Sequence, residues 1–236
     1  IGDEYFDDIL RRQSIVNDGL LFVYRVEQED GSFSEKEYCY EHGITDYLAE
    51  IVGDSAIGTP QDWSTQKQGR DRDDKDEYKV KLHVAIAFSN KVKLVEHYHN
   101  SSWLEHGGSP DRAMRNALTN QIDNYLRTNN KYNKDDAKIK YEDIEDCLVF
   151  VSSNFSTQTS YENQTKKAIT NKFVQEAMTE WLKHCIEVYF IENPDEALKI
   201  CEQIIINKRA RENADRIRQN VKKKLTGTID LSNRVE

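Results

Sequence analysis

Three prolines, ten glycines and no long apolar run set the first limits on this 236-residue chain. The longest unbroken apolar stretches, such as Val84 to Phe88 and Cys147 to Val151, fall far short of the about 20 residues a membrane helix needs. A very polar soluble protein with no membrane partner is therefore expected. No secretory segment is read at the start. The four cysteines (Cys39, Cys147, Cys185, Cys201) lie far apart without a Cys-x-x-Cys pair, which excludes a disulfide framework and a zinc site. A reducing, cytoplasmic setting is expected. Asn-x-Ser/Thr triplets begin at Asn100, Asn154 and Asn163, and without an export signal they read as chance. Walker-A, strand-linked GxGxxG, HExxH and GxSxG patterns are all missing, so no complete active site is expected within the chain.

Charge is what the sequence has in excess. Charged residues make up 32%, apolar ones 37%, and the formal net charge is −9. The length suits one large domain or two small ones. From Asn207 to Lys224, eight basic residues (Lys208, Arg209, Arg211, Arg216, Arg218, Lys222, Lys223, Lys224) face Glu212 and Asp215. That stretch is +6 and the remainder −15. Two readings stand: a segment that faces a polyanion, or a solvated helix face.

Hydrophobic spacing predicts a helix over Asp3 to Val16, ended by Asn17-Asp18-Gly19. Leu20 to Glu27 and Glu35 to Tyr40 read as a β-hairpin around Glu29-Asp30-Gly31, followed by a short helix from Ile44 to Val52. Gly53 to Asp76 is polar, carries Arg70-Asp71-Arg72-Asp73-Asp74, and is expected as a mobile loop. Tyr78, Val80, Leu82, Val84, Ile86 and Phe88 recur at period two, a strand. Ser89-Asn90 is expected to turn it into a second antiparallel hairpin with Lys91 to His99.

After Gly107-Gly108, Ser109-Pro110-Asp111 reads as N-cap, first-turn proline and acid. The helix that follows is expected to bury Met114, Ala117, Leu118, Ile122 and Tyr125. Asp146 to Ser152 is a buried strand, Ser153 to Asn163 a polar loop. A helix comes next, with a core stripe of Val174, Met178, Trp181, Cys185 and Val188. Asn193-Pro194-Asp195-Glu196 restarts a helix with cap, proline and acid. It runs unbroken to about Leu225, roughly 45 Å. Its first half is amphipathic through Leu198, Cys201, Ile204 and Ile205. Its second half has almost nothing apolar to bury and is expected to project.

Three constellations invite chemistry. His97 and His99, two apart on a strand beside His83, lack a carboxylate or cysteine to complete a metal shell and read as a chance pair on an exposed face. Gly53-Asp54-Ser55-Ala56 matches an acidic magnesium-site signature, but Val52 stands where the base glutamate belongs and no fixed set of carboxylates accompanies it. Gln164-Thr165-Lys166 offers an amide, a hydroxyl and an ammonium together before a helix, a compact phosphate-reading set. The alternative is an ordinary solvated lysine.

In chain order these pieces resemble a known family, the ATPase subunits of type IIA DNA topoisomerases: gyrase B and its sister in topoisomerase IV. The resemblance runs through Ile15-Val16-Asn17 with Gly19, Tyr40-Glu41-x-Gly43-Ile44 and Gly107-Gly108. It continues with Phe155-Ser156-x-Gln158-Thr159, Gln164-Thr165-Lys166-Lys167-x-Ile169-x-Asn171, Glu192-Asn193-Pro194 and Lys208-Arg209-Ala210-Arg211-Glu212. Of the two sisters, the gyrase type is preferred. The chain departs from the family where Gly107-Gly108-Ser109-Pro110 loses a histidine and where the loop Arg70 to Asp76 looks inserted.

The resemblance implies part of a longer protein, an ATP-hydrolysing isomerase, inert in this part alone. Residues 1–18 would be the last helix of a GHKL ATPase domain. Residues 19–192 would form a transducer domain, an α+β fold like ribosomal protein S5 domain 2, with helices packed on a mixed or antiparallel sheet. Residues 193–225 would be a long helix towards the DNA gate, and 226–236 a linker to a Toprim domain. Lys166 would be the catalytic contact to the γ-phosphate of ATP, with Gln164 bonding beside it. Arg115, Lys208, Arg209 and Arg211 would touch double-stranded DNA. No metal ligand is expected here, since ATP and Mg2+ would be bound mainly by the other domains. The implied partners are the gyrase A protein and a second gyrase B protein that pairs on ATP binding. A non-catalytic nucleic-acid-binding or scaffold module with an S5-like fold is the alternative.

Overall fold

Local signals place most elements where they form. A computed structural model describes residues 2–134 and 136–228. Helix α1 (Asp3–Val16), the hairpin β1 (Phe22–Glu27) and β2 (Phe33–Tyr38), and α2 (Ile44–Val52) open the chain. Then come β3 (Gln61–Gly69), β4 (Tyr78–Phe88), β5 (Leu94–His99) and β6 (Ser102–Trp103). They are followed by α3 (Ser109–Thr128), α4 (Tyr141–Glu145), β7 (Leu148–Ser156), α5 (Lys172–Glu192) and α6 (Pro194–Thr228). The expected linker to a Toprim domain lies, from residue 229 onward, outside the described residues.

The main sheet is mixed, in the order β3-β4-β7-β5-β6. β4 runs antiparallel to β3 and to β7, while β5 runs parallel to β7. The period-two residues of β4, from Tyr78 to Phe88, all turn to one face. There they meet Met114 and Leu118 of α3, Met178 and Leu182 of α5, and Ile200 and Ile204 of α6. Each apolar side chain fully buried in this layer contributes about 1.5–3 kcal/mol. The opposite face carries a smaller core, where Ala85, Ala87, Tyr98, Val149 and Val151 meet Ile15 of α1 and Ile44, Leu48 and Val52 of α2. The chain is thus α+β, three layers deep over half of the sheet.

Four expectations are corrected. The presumed loop from Gly53 to Asp76 contains the nine-residue strand β3, whose core-facing positions are Gln61, Trp63, Thr65, Lys67 and Gly69. A half-exposed edge strand needs few apolar residues, so its period was hidden. β4 and β5 do not form a hairpin, because β7 lies between them. Ser109 is the first residue of α3, not its cap, which is Gly108.

The fully buried face of α5 follows Val174, Met178, Leu182, Ile186 and Phe190, so Trp181, Cys185 and Val188 are only half-buried at its margin. Pro194 and the acids Asp195 and Glu196 stand in the first turn of α6 as expected, and Glu196 is held from outside the helix. Its carboxylate accepts from Thr59 N and Oγ1 and from the Tyr189 hydroxyl. The second half of α6 projects as expected, exposed at every position from Asn213 to Thr226.

Candidate phosphate-contact loop and its supports

Between β7 and α5 the chain doubles back as a short hairpin-like loop. Tyr161 bridges Ile169 in antiparallel register, Glu162 N donates to Ala168 O, and Thr170 N donates to Ser160 O. At the tip, Asn163-Gln164-Thr165-Lys166 makes a turn closed by Lys166 N on Asn163 O at 3.2 Å. The Asn163 side chain accepts from Thr165 N, the local bond that makes asparagine a turn former. Lys166 follows at φ +57°, left-handed backbone that glycine adopts freely and a lysine does not. Gln164, Thr165 and Lys166 are exposed together, and the Lys166 ammonium lies 5.5 Å from the centre of the Tyr161 ring. Amide, hydroxyl and ammonium therefore share one outward turn, as the sequence suggested.

The loop is pinned to the start of α3. His106 N donates to Lys167 O and Ser109 N to Ile169 O, each at 2.9 Å. Lys167 pairs with Glu105. Gly108 bridges Ile169 at φ +81°, and a Cβ on it would stand 2.2 Å from Ile169 O. Only glycine permits that approach.

Beneath the loop, His99 Nε2 meets Ser156 Oγ at 2.9 Å and Thr159 Oγ1 at 3.2 Å. Burial pushes the His99 pKa down to about 4. Asn100, at φ +48°, accepts from Ser156 N and donates to Ser156 O and Thr159 Oγ1. These supports escaped sequence reasoning. The Asn100-Ser101 pair, both residues in left-handed backbone, was the one local signal available, since asparagine tolerates that conformation.

The histidines correct another expectation. His97 and His99 are buried, not exposed. His97 Nδ1 meets Ser152 Oγ at 2.9 Å, while His83 lies on the other side of β7 against Asp62. Among the described residues no group of three or more His, Cys, Asp or Glu is placed to hold a metal ion.

The basic residues sort by partner. Arg115 on α3 is bonded to Asp111 at 2.7 Å, lies 3.8 Å from Glu145 and stacks on Tyr141. Lys208, 2% exposed, sits between Asp136 and Glu212. Arg211 clamps the buried Asp143 through two bonds of 2.6 and 3.0 Å, a geometry that fixes α6 on α4. Arg209, Arg216 and Arg218 are exposed.

The family model for DNA gyrase B matches residues 43–220, about three quarters of the chain. The chain belongs to the DNA gyrase B family. Within that family it is 25% identical over 205 residues to DNA gyrase B of Mycoplasmoides gallisepticum, covering 84% of this chain and 31% of that protein. It is 28% identical over 190 residues to that of Metamycoplasma arthritidis, covering 80% and 30%. To that of Thermotoga maritima it is 26% identical over 232 residues, covering 94% and 35%. The chain thus spans about a third of the length of these gyrase B relatives.

Its fold is similar to part of the 43K ATPase domain of Thermus thermophilus gyrase B, with TM-score 0.67 and 15% identity, covering 93% of this chain and 56% of that one. The topoisomerase IV ATP-binding domain of Francisella tularensis is similar in fold too, with TM-score 0.64 and 20% identity, covering 89% and 54%. No helix among the described residues is long and apolar enough to cross a membrane.

Proposed function

We propose that this gyrase B family chain is the transducer region of the ATPase subunit of an ATP-dependent type II DNA topoisomerase, an isomerase acting in the cytoplasm. In this reading residues 1–18 end the nucleotide-binding domain, 19–192 are the transducer, and 193–225 lead towards the DNA gate. Lys166 contacts the ATP γ-phosphate, Gln164 bonds beside it, and Mg2+ is held elsewhere in the protein. The observation that carries this is the Lys166 turn. An exposed ammonium stands on backbone that costs about 1–2 kcal/mol for a non-glycine residue. Strain kept at an exposed polar tip points to a role outside the fold.

An ammonium beside a terminal phosphate stabilises charge that redistributes during transfer. When phosphate leaves, the contact is lost, and the pinned loop pulls on the start of α3. Rigid α6 then carries the motion towards the DNA gate, a ligand-biased rigid-body switch. Double-stranded DNA, the gyrase A protein and a second gyrase B protein are the partners in this cycle. Arg209, with the exposed basic run beyond it, supplies phosphate contacts that position DNA without reading its sequence. Arg115 joins them only by exchanging Asp111 for a phosphate, whereas Lys208 and Arg211 serve by holding α6 in place.

The test is ATP turnover by the full-length gene product, wild type against Lys166→Ala. A fall in kcat of about a hundredfold or more, with nucleotide affinity within a few-fold, is expected for a contact made chiefly in the transition state. Unchanged turnover overturns the reading.

A further inference from the structure

One edge of the main sheet is the nine-residue strand β3, which among the described residues has a neighbouring strand on one side alone. β3 pairs with β4 from Gln61↔Ile86 to Gly69↔Tyr78. Its other side makes no backbone bond to any described residue. Such an edge presents alternate N–H and C=O groups ready for another strand, and native proteins ordinarily shorten, cover or twist edges of this length.

Helix α5 runs beside this edge and leaves a groove. Two cavities of about 410 and 170 Å³ lie along it and share His184 as a wall. Aromatic posts hold it open at both ends. Phe173 lies across Gly69, where a Cβ would stand 2.3 Å from the ring. Trp63 meets Tyr189 edge-on, with ring centres 6.4 Å apart. Between the posts, Ala177 and Trp181 of α5 give an apolar floor opposite Lys67. The α5 side of the groove is acidic on balance, with Glu176, 3.4 Å from Lys172 at the surface, and Glu180 in the larger cavity and Glu192 in the smaller one.

We propose that this groove binds an extended, basic segment of a partner protein, which adds to β3 as a sixth strand of the sheet. Main-chain bonds to the β3 edge would supply affinity, and alternate side chains would supply selectivity. On the groove side an apolar residue rests on Trp181, and basic residues two positions away, which share its face, reach the glutamates. Nine strand residues span about 30 Å, room for a segment of about eight residues. The acidic rim disfavours nucleic acid. It also disfavours a second copy of this chain, whose own glutamates would be brought against these.

The probe is a fluorescent, end-blocked peptide of about eight residues, titrated into this chain and into the full-length gene product, in which every second residue, the set on one face, runs arginine, valine, arginine, arginine and the rest are threonine. Binding with slowed amide exchange over residues 61–69 is expected. Glu176 and Glu180 are both exposed, so Glu176→Lys/Glu180→Lys folds normally by circular dichroism, and about a tenfold or greater loss of affinity is expected for it. N-methylation of alternate residues along one edge of the peptide abolishes binding, while methylation along the other edge is tolerated. Four results would overturn the proposal: no binding at about millimolar peptide, protection elsewhere than β3, equal binding of both methylated peptides, or a peptide-free dimer with β3 already protected.

Discussion

At the scale of single residues, stability and the proposed function oppose one another at Lys166. Its positive φ is strained for any side chain with a Cβ, and its ammonium makes no ion pair in the described structure beyond the ring of Tyr161. Lys166→Gly is expected to raise the stability of the chain by about 1 kcal/mol in urea unfolding while removing the proposed phosphate contact. A destabilised Lys166→Gly would show that the lysine serves the fold.

His99 gives a pH dependence of definite sign. Unfolded, it protonates near its ordinary value of about 6.5; folded, burial keeps it neutral down to about pH 4. Between those values the unfolded chain binds the extra proton, so stability falls as pH drops through that window. The loss is about 2 kcal/mol at pH 5, and above about pH 6.5 the group contributes nothing. His99→Gln should flatten the urea midpoint between pH 7 and pH 5. A slope identical to wild type would assign the pH dependence to other groups.

At the scale of elements, the most consequential contact comes from the charged loop after β3. Asp71 accepts from Phe173 N at the start of α5, from the Asn171 amide and from the Tyr78 hydroxyl, at 2.8 to 2.9 Å. It caps a helix a hundred residues further on. Asp71→Ala should cost about 1–2 kcal/mol in denaturant unfolding, the loss expected of a helix cap. A loss within about 0.3 kcal/mol would mean that water replaces it.

How much was legible follows from the range of each signal. α1 was marked by its spacing and the Asn17-Asp18-Gly19 stop, the start of α6 by Pro194 with its acids, and β4 by an unbroken alternation. β3 was not, because an edge strand with Gln61, Thr65 and Lys67 on its inner side offers only Trp63 as an apolar mark. The place of β5 was not, because alternation tells which face is buried and never which strand lies alongside. At the site, Gln164-Thr165-Lys166 was legible from its functional groups. The left-handed turn, the Glu105–Lys167 pair and the Gly108 bridge depend on segments brought together only by folding. The basic run was legible as charge, yet its division into buried Lys208, half-buried Arg211 and exposed Arg209 needed Asp136 beside Lys208 and Asp143 beside Arg211.

At the scale of the whole molecule, α6 divides in two. Up to Arg211 one face of it packs on the core; from Asn213 to Thr226 every residue is exposed, and Ile217, Val221 and Leu225 are at least half so. Truncation after Glu212 should change unfolding free energy by less than about 0.5 kcal/mol, while the helical circular dichroism drops in proportion to the turns removed. A cooperative loss of stability would show that the projecting half supports the core.

The position of β7 between β4 and β5 also bears on how the chain is made. β5 ends at His99 and β7 begins at Leu148, so at about 5–20 residues per second the ribosome takes about 2–10 s to deliver the strand that belongs between its two neighbours. Throughout that interval β4 and β5 have open inner edges and a short connection at Ser89-Asn90 that favours pairing them directly. The hairpin suggested by the local sequence is therefore a kinetic competitor of the native sheet. Any such pairing has to dissolve before β7 can enter, and until then the open edges of β4 and β5 are the kind of unpaired strand on which aggregation begins.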